Sequence, residues 1–370
     1  MFSFENIYKH YIKCRKNKRN SNNALEFETN QIDELMNLEI ELNNREYKIG
    51  KYICFISSMP KFREIFAPSF RDRIVHHILV NELEKFYERR FIYDVYNNRI
   101  NKGIHKAIKR AKSFMNRYKN GCYLQLDIKN FFYSIDNNIL FKILLKDIKY
   151  SNLKNKDNIL WLSNKIIYQK PTLNYKYIGS KSLLKHIPPH KSLFGININK
   201  GLPIGNLTSQ FFANVYMNGF DNFIKRKLKI KSYIRYVDDF VIFAESKQRL
   251  YTWYVDIKKY LYTNLSLSLR DDVKLNQNNK GLDFLGYIIR PNYILTRKRV
   301  INKYKQKKAQ FLDKYEQQLY EGISMDLEEI NKFKSIQASY FAHIKHSNSY
   351  KLKQKGEIDE EKYIKLIATM

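Results

Sequence analysis

Apolar residues recur along this chain with two different periods. Between Asn22 and Asn44 they follow the interval of a helix, at Leu25, Ile32, Leu35 and Met36. The next apolar runs, Tyr52 to Ser57 and Phe62 to Ala67, are short, which is typical of strands. The pattern therefore predicts helical structure followed by two strands.

The clearest helix start comes after these strands. Ser69-Phe70-Arg71-Asp72 has the spacing of a capping box. The segment that it opens has one apolar face, formed by Ile74, Val75, Ile78, Leu79 and Leu83. Another helix is predicted from Ile104 to Met115, and the apolar run from Tyr123 to Leu126 predicts a strand that ends at Asp127.

The middle of the chain changes from irregular to regular structure. The segment from Pro171 to Gly205 holds four of the seven prolines and is predicted to be irregular. Helices are predicted from 206 to about 228 and from 247 to about 262. Between them the apolar runs 232–237 and 240–244 predict a β-hairpin.

The C-terminal part is predicted to be a strand, Phe284 to Ile289, followed by a charged helical lobe. Apolar residues spaced for one buried helix face occur there at Ile330, Phe333, Ile336, Tyr340 and Ile344. The order of elements predicts an α+β fold in which helices pack on one face of an antiparallel sheet.

Composition indicates a partner. The 370 residues include 67 Lys and Arg against 36 Asp and Glu, a formal net charge of +31, and 44% hydrophobic residues allow a large core. Aromatic residues reach 15% and provide stacking surfaces. This mixture indicates a nucleic acid more than a membrane surface, although AT-rich codon usage explains part of the bias.

Cysteine usage and the N-terminus indicate the compartment. Cys14, Cys54 and Cys122 are far apart, odd in number and without CxxC spacing, so neither a disulfide framework nor a zinc site is indicated. The N-terminus lacks a signal-peptide pattern, and no run of 18 apolar residues occurs. We expect a cytoplasmic protein without a membrane partner.

The candidate chemistry lies at the tip of the predicted hairpin, where Tyr236-Val237-Asp238-Asp239 contains two adjacent carboxylates. Such a pair needs a cation or belongs to an ordinary turn. Asp271-Asp272 is an internal control, because Arg270 precedes it and no apolar strand follows, and we interpret it as a solvated turn. Asp127, at the end of a neighbouring strand, is a third acid. Together these acids could bind two Mg²⁺ ions through oxygen ligands, with Mn²⁺ as a substitute.

These motifs resemble those of the reverse transcriptases. Tyr236-Val237-Asp238-Asp239 is similar to the family's central catalytic motif, and Leu-Asp-Ile-Lys-Asn-Phe-Phe at 126–132 is similar to its first acidic motif. The resemblance implies a right-hand polymerase that uses dNTPs and a primer to copy template RNA into cDNA. It implies catalytic, metal-binding roles for Asp127, Asp238 and Asp239, with the Ile128 carbonyl as a further metal ligand. Phe132 matches the steric gate that excludes a 2′-hydroxyl.

The segment Gly-Leu-Pro-Ile-Gly-Asn-Leu-Thr-Ser-Gln at 201–210 is the most specific motif. Most reverse transcriptases have Gln in place of Ile204, and this departure resembles the diversity-generating retroelement enzymes. That resemblance implies error-prone copying of a dedicated RNA and an accessory protein. Ile204, Gly205 and Gln210 are expected at the nucleotide, where Ile204 cannot donate a hydrogen bond near the nascent base pair; loop packing is the alternative role of Ile204.

Weaker matches concern the substrates. Arg63, Arg71 and Arg73 correspond to finger residues that bind the triphosphate, since guanidinium groups suit phosphate oxygens. Lys274 corresponds to a lysine that protonates pyrophosphate, with an ordinary solvated lysine as the alternative. Phe284-Leu285-Gly286 resembles the primer grip, where glycine lets the backbone approach the primer end.

The resemblance also implies a domain division. We predict an N-terminal extension and fingers in 1–120, a palm in 121–290 that includes part of the fingers at about 171–210, and a helical thumb in 291–370. The elements typical of retrons are absent, and we expect neither the further domains of group II intron proteins nor an RNase H domain. An antiphage defence enzyme acting with a noncoding RNA and a partner protein is the alternative role. A non-catalytic RNA-binding scaffold is the alternative of another class.

Overall fold

The computed structural model describes residues 1–16, 18–19, 21–58, 61–322 and 326–354. The predicted thumb, 291–370, lies in part outside these residues, at 323–325 and 355–370. None of the described helices is long and apolar enough to cross a membrane.

The described residues form twelve α-helices. They are α1 (Phe4–Arg15), α2 (Asn22–Thr29), α3 (Gln31–Asn43), α4 (Phe70–Tyr87), α5 (Ile104–Arg117), α6 (Phe131–Ser134), α7 (Asn137–Lys149), α8 (Lys156–Ile167), α9 (Leu207–Asn222), α10 (Lys247–Leu265), α11 (Lys298–Tyr320) and α12 (Leu327–Ile344). A π-helical turn, Phe223–Lys227, extends α9.

Within the described residues, ten strands form three small sheets. They are β1 (Tyr52–Ser57), β2 (Arg63–Ala67), β3 (Cys122–Asp127), β4 (Tyr175–Tyr177), β5 (Tyr233–Tyr236), β6 (Asp239–Ala244), β7 (Lys274–Gln277), β8 (Leu282–Phe284), β9 (Tyr287–Ile289) and β10 (Ile294–Thr296). The sheet orders are β2-β1-β4, β5-β6-β3-β7 and β10-β9-β8. The β1–β2, β3–β7, β8–β9 and β9–β10 pairs are antiparallel, and β1–β4 is parallel.

Several predicted elements are confirmed because their side chains are buried on one face. The Ser69 hydroxyl accepts a hydrogen bond from the Asp72 N–H at 3.1 Å, which caps α4 as the capping box predicts. All five apolar residues predicted to line one face of α4 are fully buried. The hairpin of β5 and β6 also forms where the apolar runs predict it.

Two predicted elements differ from the structure in different degrees. The helical structure predicted from 22 to 44 is confirmed, but it forms two helices, α2 and α3, that meet at Asn30, and of its four periodic apolar residues only Leu35 is buried. The prediction of a single strand at 284–289 is wrong, because this segment belongs to the hairpin of β8 and β9. Leu285 and Gly286 have positive φ angles of 51° and 89°, and this turn reverses the chain.

The segment from 171 to 205 is largely irregular, as predicted, but it includes the short strand β4. That strand pairs with β1 from Tyr52↔Tyr175 to Cys54↔Tyr177. The polar sequence Lys-Leu-Asn-Gln of β7 gave no strand signal, yet β7 pairs with β3 as an edge strand. Cys14, Cys54 and Cys122 are buried and form no disulfide.

The chain divides into two compact units. Unit 1 consists of 1–102, 126–240 and 252–273, and unit 2 consists of 103–125, 241–251 and 274–370. Unit 1 has a small core of Tyr52, Cys54 and Phe66, and unit 2 has one of Tyr304, Tyr340 and Ile344. The division into fingers, palm and thumb stays a prediction.

Candidate active site

The turn between β5 and β6 consists of Val237 and Asp238. Val237 has a φ of 61°, which is unusual for a β-branched residue. Two hydrogen bonds fix its backbone: the Val237 N–H donates to Asn97 Oδ1 at 2.9 Å, and Arg235 Nη1 donates to the Val237 carbonyl at 2.8 Å. Asp238 therefore follows a residue whose backbone N–H and C=O are both hydrogen-bonded to buried side chains.

A fully buried ion pair supports this turn. The Arg235 and Asp221 side chains are both 0% exposed. Arg235 Nη2 and Nε donate to the two carboxylate oxygens of Asp221 at 2.6 and 2.8 Å, and the Tyr233 hydroxyl also donates to Asp221 at 2.6 Å. This forked geometry satisfies the buried charges and leaves Nη1 of Arg235 to bind the turn.

Two asparagines complete the support. Asn97 Nδ2 donates to Asn214 Oδ1, and Asn214 Nδ2 donates to the Asn97 carbonyl, both at 2.9 Å. Arg235 Nη1 also donates to Asn214 Oδ1 at 3.2 Å. We call Asn97, Asn214, Asp221 and Arg235 the turn-support network. No sequence motif identified it, although the charged Arg235 inside an apolar strand was an available signal.

The structure brings Asp127 and Asp238 together. Asp127 ends β3, which neighbours β6 in the sheet. The two carboxyl groups are close enough to interact electrostatically, and burial together with the Asp127 charge raises the pKa of Asp238 to about 6. The positive charge of Arg63 partly offsets this shift.

Backbone pairing fixes the position of Asp127. Ile128 is buried and forms an antiparallel bridge with Leu269, and the Arg270 N–H donates to the Asp127 carbonyl at 2.9 Å. The Arg270 guanidinium also contacts the Asp127 carboxylate at 3.2 Å and the Asp272 carboxylate at 3.0 Å. Asp271 and Asp272 are exposed, as predicted for a solvated turn, but Asp272 is linked to the candidate site through Arg270.

The carboxylate oxygens of Asp127 and Asp238, at the edge where β3 ends and β6 begins, suit a divalent cation. Two neighbouring carboxylates offer hard oxygen ligands, which Mg²⁺ prefers. Asp239, the first residue of β6, is half-buried and adjoins Asp238. Across the described ranges, no group of three or more His, Cys, Asp or Glu side chains is already arranged as a metal site. The structure thus assembles two of the three predicted acids and places the third beside them in the chain.

The three predicted triphosphate-binding arginines have different surroundings. Arg63 begins β2, is exposed, and is the one whose charge acts on Asp238. Arg71 is bound to α3, where it pairs with Glu41 at 2.6 Å. Arg73 donates to the Pro68 carbonyl at 3.2 Å. A triphosphate role for Arg71 would require that its ion pair opens.

Phe132 and the 201–210 segment are joined by backbone hydrogen bonds. The Leu202 N–H donates to the Phe132 carbonyl at 2.8 Å, and the half-buried ring of Phe132 packs on Phe131 at 5.6 Å between centroids. The Ile204 carbonyl accepts from the Phe66 N–H at 2.9 Å. Gly205 is exposed with a φ of 117°, which favours glycine, and Gln210 is exposed on α9.

The remaining predicted residues belong to unit 2. Lys274 is the exposed first residue of β7. The predicted primer grip is the β8–β9 turn, with Phe284 buried and Leu285 and Gly286 in the left-handed region. The ring of His343 lies against this turn, because a Cβ at Gly286 would approach His343 Cε1 to 3.1 Å. Burial lowers the pKa of His343, which favours a neutral ring there.

Comparison with known proteins identifies the family. The sequence profile of the family described as reverse transcriptase (RNA-dependent DNA polymerase) matches residues 56–289, more than half of the chain. Protein YkfC of Escherichia coli is 23% identical over 315 residues, which cover 75% of this chain and 76% of that protein.

Two solved telomerase structures are more distant. A Candida albicans telomerase with a fragment of telomeric RNA has 12% identity and a TM-score of 0.46, and a Candida tropicalis telomerase with such a fragment has 13% and 0.47. They match 81% and 83% of this chain, which spans 60% and 56% of the two telomerase chains.

The family match agrees with the architecture. The mixed helices and antiparallel sheets fit the α+β right-hand polymerase fold that the sequence predicts, and this prediction is confirmed. Proteins of this family use divalent metal ions, which agrees with the oxygen ligands at the Asp127 and Asp238 edge. The chain belongs to the reverse transcriptase family and is an RNA-directed DNA polymerase.

Proposed function

We propose that this enzyme makes cDNA from a dedicated RNA template by two-metal nucleotidyl transfer, with Asp127, Asp238 and Asp239 as the metal-binding acids. The observation that supports this most is the approach of the Asp127 and Asp238 carboxyl groups at neighbouring strand ends. Two bound Mg²⁺ ions, or Mn²⁺ as a substitute, would activate the primer 3′-hydroxyl and stabilise the leaving pyrophosphate. The carbonyl of Ile128 is a further proposed ligand.

The chain's own side chains would select and orient the nucleotide. The exposed guanidinium of Arg63 is near enough to act on Asp238 and would bind phosphate oxygens there. The ring of Phe132 is half-buried, so it can contact an incoming sugar and exclude a 2′-hydroxyl. We assign further nucleotide contacts to Arg71, Arg73, Ile204, Gly205, Gln210 and Lys274, and primer contacts to Phe284, Leu285 and Gly286.

Primer extension tests the acid assignment. On an RNA template with Mg²⁺ and dNTPs, Asp238→Asn is expected to lower the extension rate by about 10³-fold or more, because loss of a metal ligand removes several kcal/mol of transition-state stabilisation. Asp271→Asn is the matched control and is expected to retain activity. Extension by Asp238→Asn at the wild-type rate would contradict the assignment.

We propose that copying is error-prone, as in a diversity-generating retroelement. Ile204 supports this, because its carbonyl is fixed by Phe66 while its aliphatic side chain offers no hydrogen bond to a base pair. Ile204→Gln is expected to lower misincorporation on an RNA template, whereas the control Ile204→Leu is expected to leave it unchanged. Identical error spectra for the wild type and Ile204→Gln would remove this proposal.

The cellular setting is a further part of the proposal. The enzyme would act in the cytoplasm with its template RNA and a small accessory protein. Sequencing the RNA that copurifies with the chain, together with its cDNA, would identify the template. If the copurifying RNA comes from a template repeat beside a variable gene, the result supports a role in diversification. If it comes from a defence locus, the result contradicts that role and supports an antiphage role.

A further inference from the structure

A groove in unit 1 is lined by none of the predicted site residues. It has a volume of about 900 Å³ and lies among α7, α9, α10 and the segments that follow α4 and α9. Besides Arg90, which pairs with Asp147, four exposed cations line it: Arg89, Lys142, Lys146 and Arg226. They come from three separate parts of the chain, so the fold and not one basic run brings them to the same groove.

Within the described part of the chain, none of these four cations forms an ion pair. Asp147 is the single acid in the groove lining, and Arg90 at 2.9 Å and the Tyr87 hydroxyl at 3.0 Å already bind it. Lys142 and Lys146 are four residues apart on α7, a spacing at which like charges repel. The groove therefore holds a surplus of positive charge that an anionic ligand would neutralise.

The groove also has neutral polar groups suited to a sugar-phosphate backbone. Asn222 of α9 and the exposed Asn264 of α10 line it together with the cations, and the buried Asn218 accepts a hydrogen bond from Asn222 Nδ2 at 3.1 Å. Side-chain amides, like Lys and Arg, are common contacts of phosphate and sugar oxygens. Gly219 lets the Tyr260 hydroxyl pack closely on α9, because a Cβ at this position would lie 3.1 Å from it.

We propose that this groove binds the backbone of a single-stranded RNA segment at a second place on the enzyme, apart from the primer–template. RNA fits better than an acidic protein segment, since the enzyme already works on RNA and the amides can bind ribose hydroxyls. Such a contact would hold part of the template molecule that is not being copied. The proposal requires that the enzyme acts on RNA, but it does not depend on the assignment of the three acids.

Equilibrium binding in the Asp238→Asn background tests the proposal. The protein is first saturated with an unlabelled primer–template duplex and then titrated with a fluorescein-labelled oligouridylate of about 16 nucleotides. The groove variant replaces all four cations by Gln: Arg89→Gln, Lys142→Gln, Lys146→Gln and Arg226→Gln. The control variant replaces four exposed lysines of unit 1 that do not line the groove: Lys9→Gln, Lys48→Gln, Lys231→Gln and Lys258→Gln.

The groove variant is expected to bind the oligouridylate at least about tenfold more weakly, and the plot of log K against log salt should become shallower by up to about 3, since each lost phosphate contact removes about 0.7. Its affinity for the duplex should stay within about twofold of the parent, a change well below one tenfold step. Equal losses in the groove and control variants would overturn the proposal. Equally tight, competing binding of a labelled polyglutamate would replace RNA with an acidic protein.

The result is separable from the catalytic assignment. The readout is binding by a protein whose proposed metal ligand is already replaced, so it does not require DNA synthesis. If the wild type failed to extend a primer while the groove still bound oligouridylate, the two-metal proposal would fail and the groove proposal would stand.

Discussion

The dipeptide Asp-Asp occurs twice in this chain in opposite surroundings. Asp238-Asp239 is half-buried, and hydrogen bonds with the buried turn-support network fix the turn that carries it. The negative charge of Asp127 acts on the Asp238 carboxyl. Asp271-Asp272 is exposed and follows Arg270, which neutralises Asp272. The difference shows that the supporting structure, and not the dipeptide, creates a candidate metal site.

The two pairs are nevertheless connected. Arg270 contacts both Asp127 and Asp272, so the exposed pair positions a cation beside the candidate site. Both contacts are solvent-exposed, with 43% of the Arg270 side chain accessible, and such pairs are weak. A divalent ion at Asp127 could therefore displace this guanidinium at little cost.

We expect the largest loss of stability when the buried ion pair between Arg235 and Asp221 is broken. Asp221→Ala leaves Arg235 buried without its counter-charge and is expected to lower the free energy of unfolding by about 3–5 kcal/mol. Urea denaturation measures this change. The matched control, Glu245→Ala, removes the exposed pair with Arg249 and should cost less than about 1 kcal/mol. Equal effects would show that the turn-support network does not stabilise the fold.

A smaller effect is expected from the residue that binds the turn itself. Asn97→Ala leaves the Val237 N–H without its acceptor and removes one of the two donors to Asn214 Oδ1, at a cost of about 1–3 kcal/mol. We expect the extension rate constant to fall more than the affinity for dNTP changes, because Asp238 shifts. Asn97→Asp keeps an acceptor for the Val237 N–H and should restore part of the rate. A variant with lowered stability but a wild-type rate at low temperature would limit Asn97 to a structural role.

The smallest effect should come from the exposed pair. Asp272→Asn removes one partner of Arg270, a surface contact of about 0–1 kcal/mol, so the extension rate should change by less than about fivefold. Steady-state primer extension with Mg²⁺ measures it. A loss as large as that of Asp238→Asn would mean that the exposed pair takes part in the chemistry.

The fold was predictable where burial repeats along the sequence. The apolar face of α4 and the runs of β5 and β6 gave their positions directly. Prediction failed at β7, a polar edge strand that is specified by its partner β3, and at Leu285, whose positive φ has no local signal. Edge pairing and turn conformation depend on contacts that are distant in the sequence.

The candidate site, like the fold, was predictable only in part. The acids at 127, 238 and 239 were identified because their motifs are local. The turn-support network was not, because Asn97 lies 117 residues before Asn214 and 140 before Val237, and only the folded chain joins them. The ion pair of Arg71 with Glu41 could not be predicted from the sequence either, because a motif specifies the type of a residue but not its partner.

Manganese binding followed by electron paramagnetic resonance tests whether Asp127 and Asp238 are metal ligands. With primer, template and dNTP present, the wild type is expected to bind Mn²⁺ at the Asp127 and Asp238 edge, and Asp271→Asn should bind it equally well. Asp127→Asn and Asp238→Asn should each lose bound Mn²⁺. If these two variants bind the same amount of Mn²⁺ with the same affinity as the wild type, the two carboxylates are not the metal ligands.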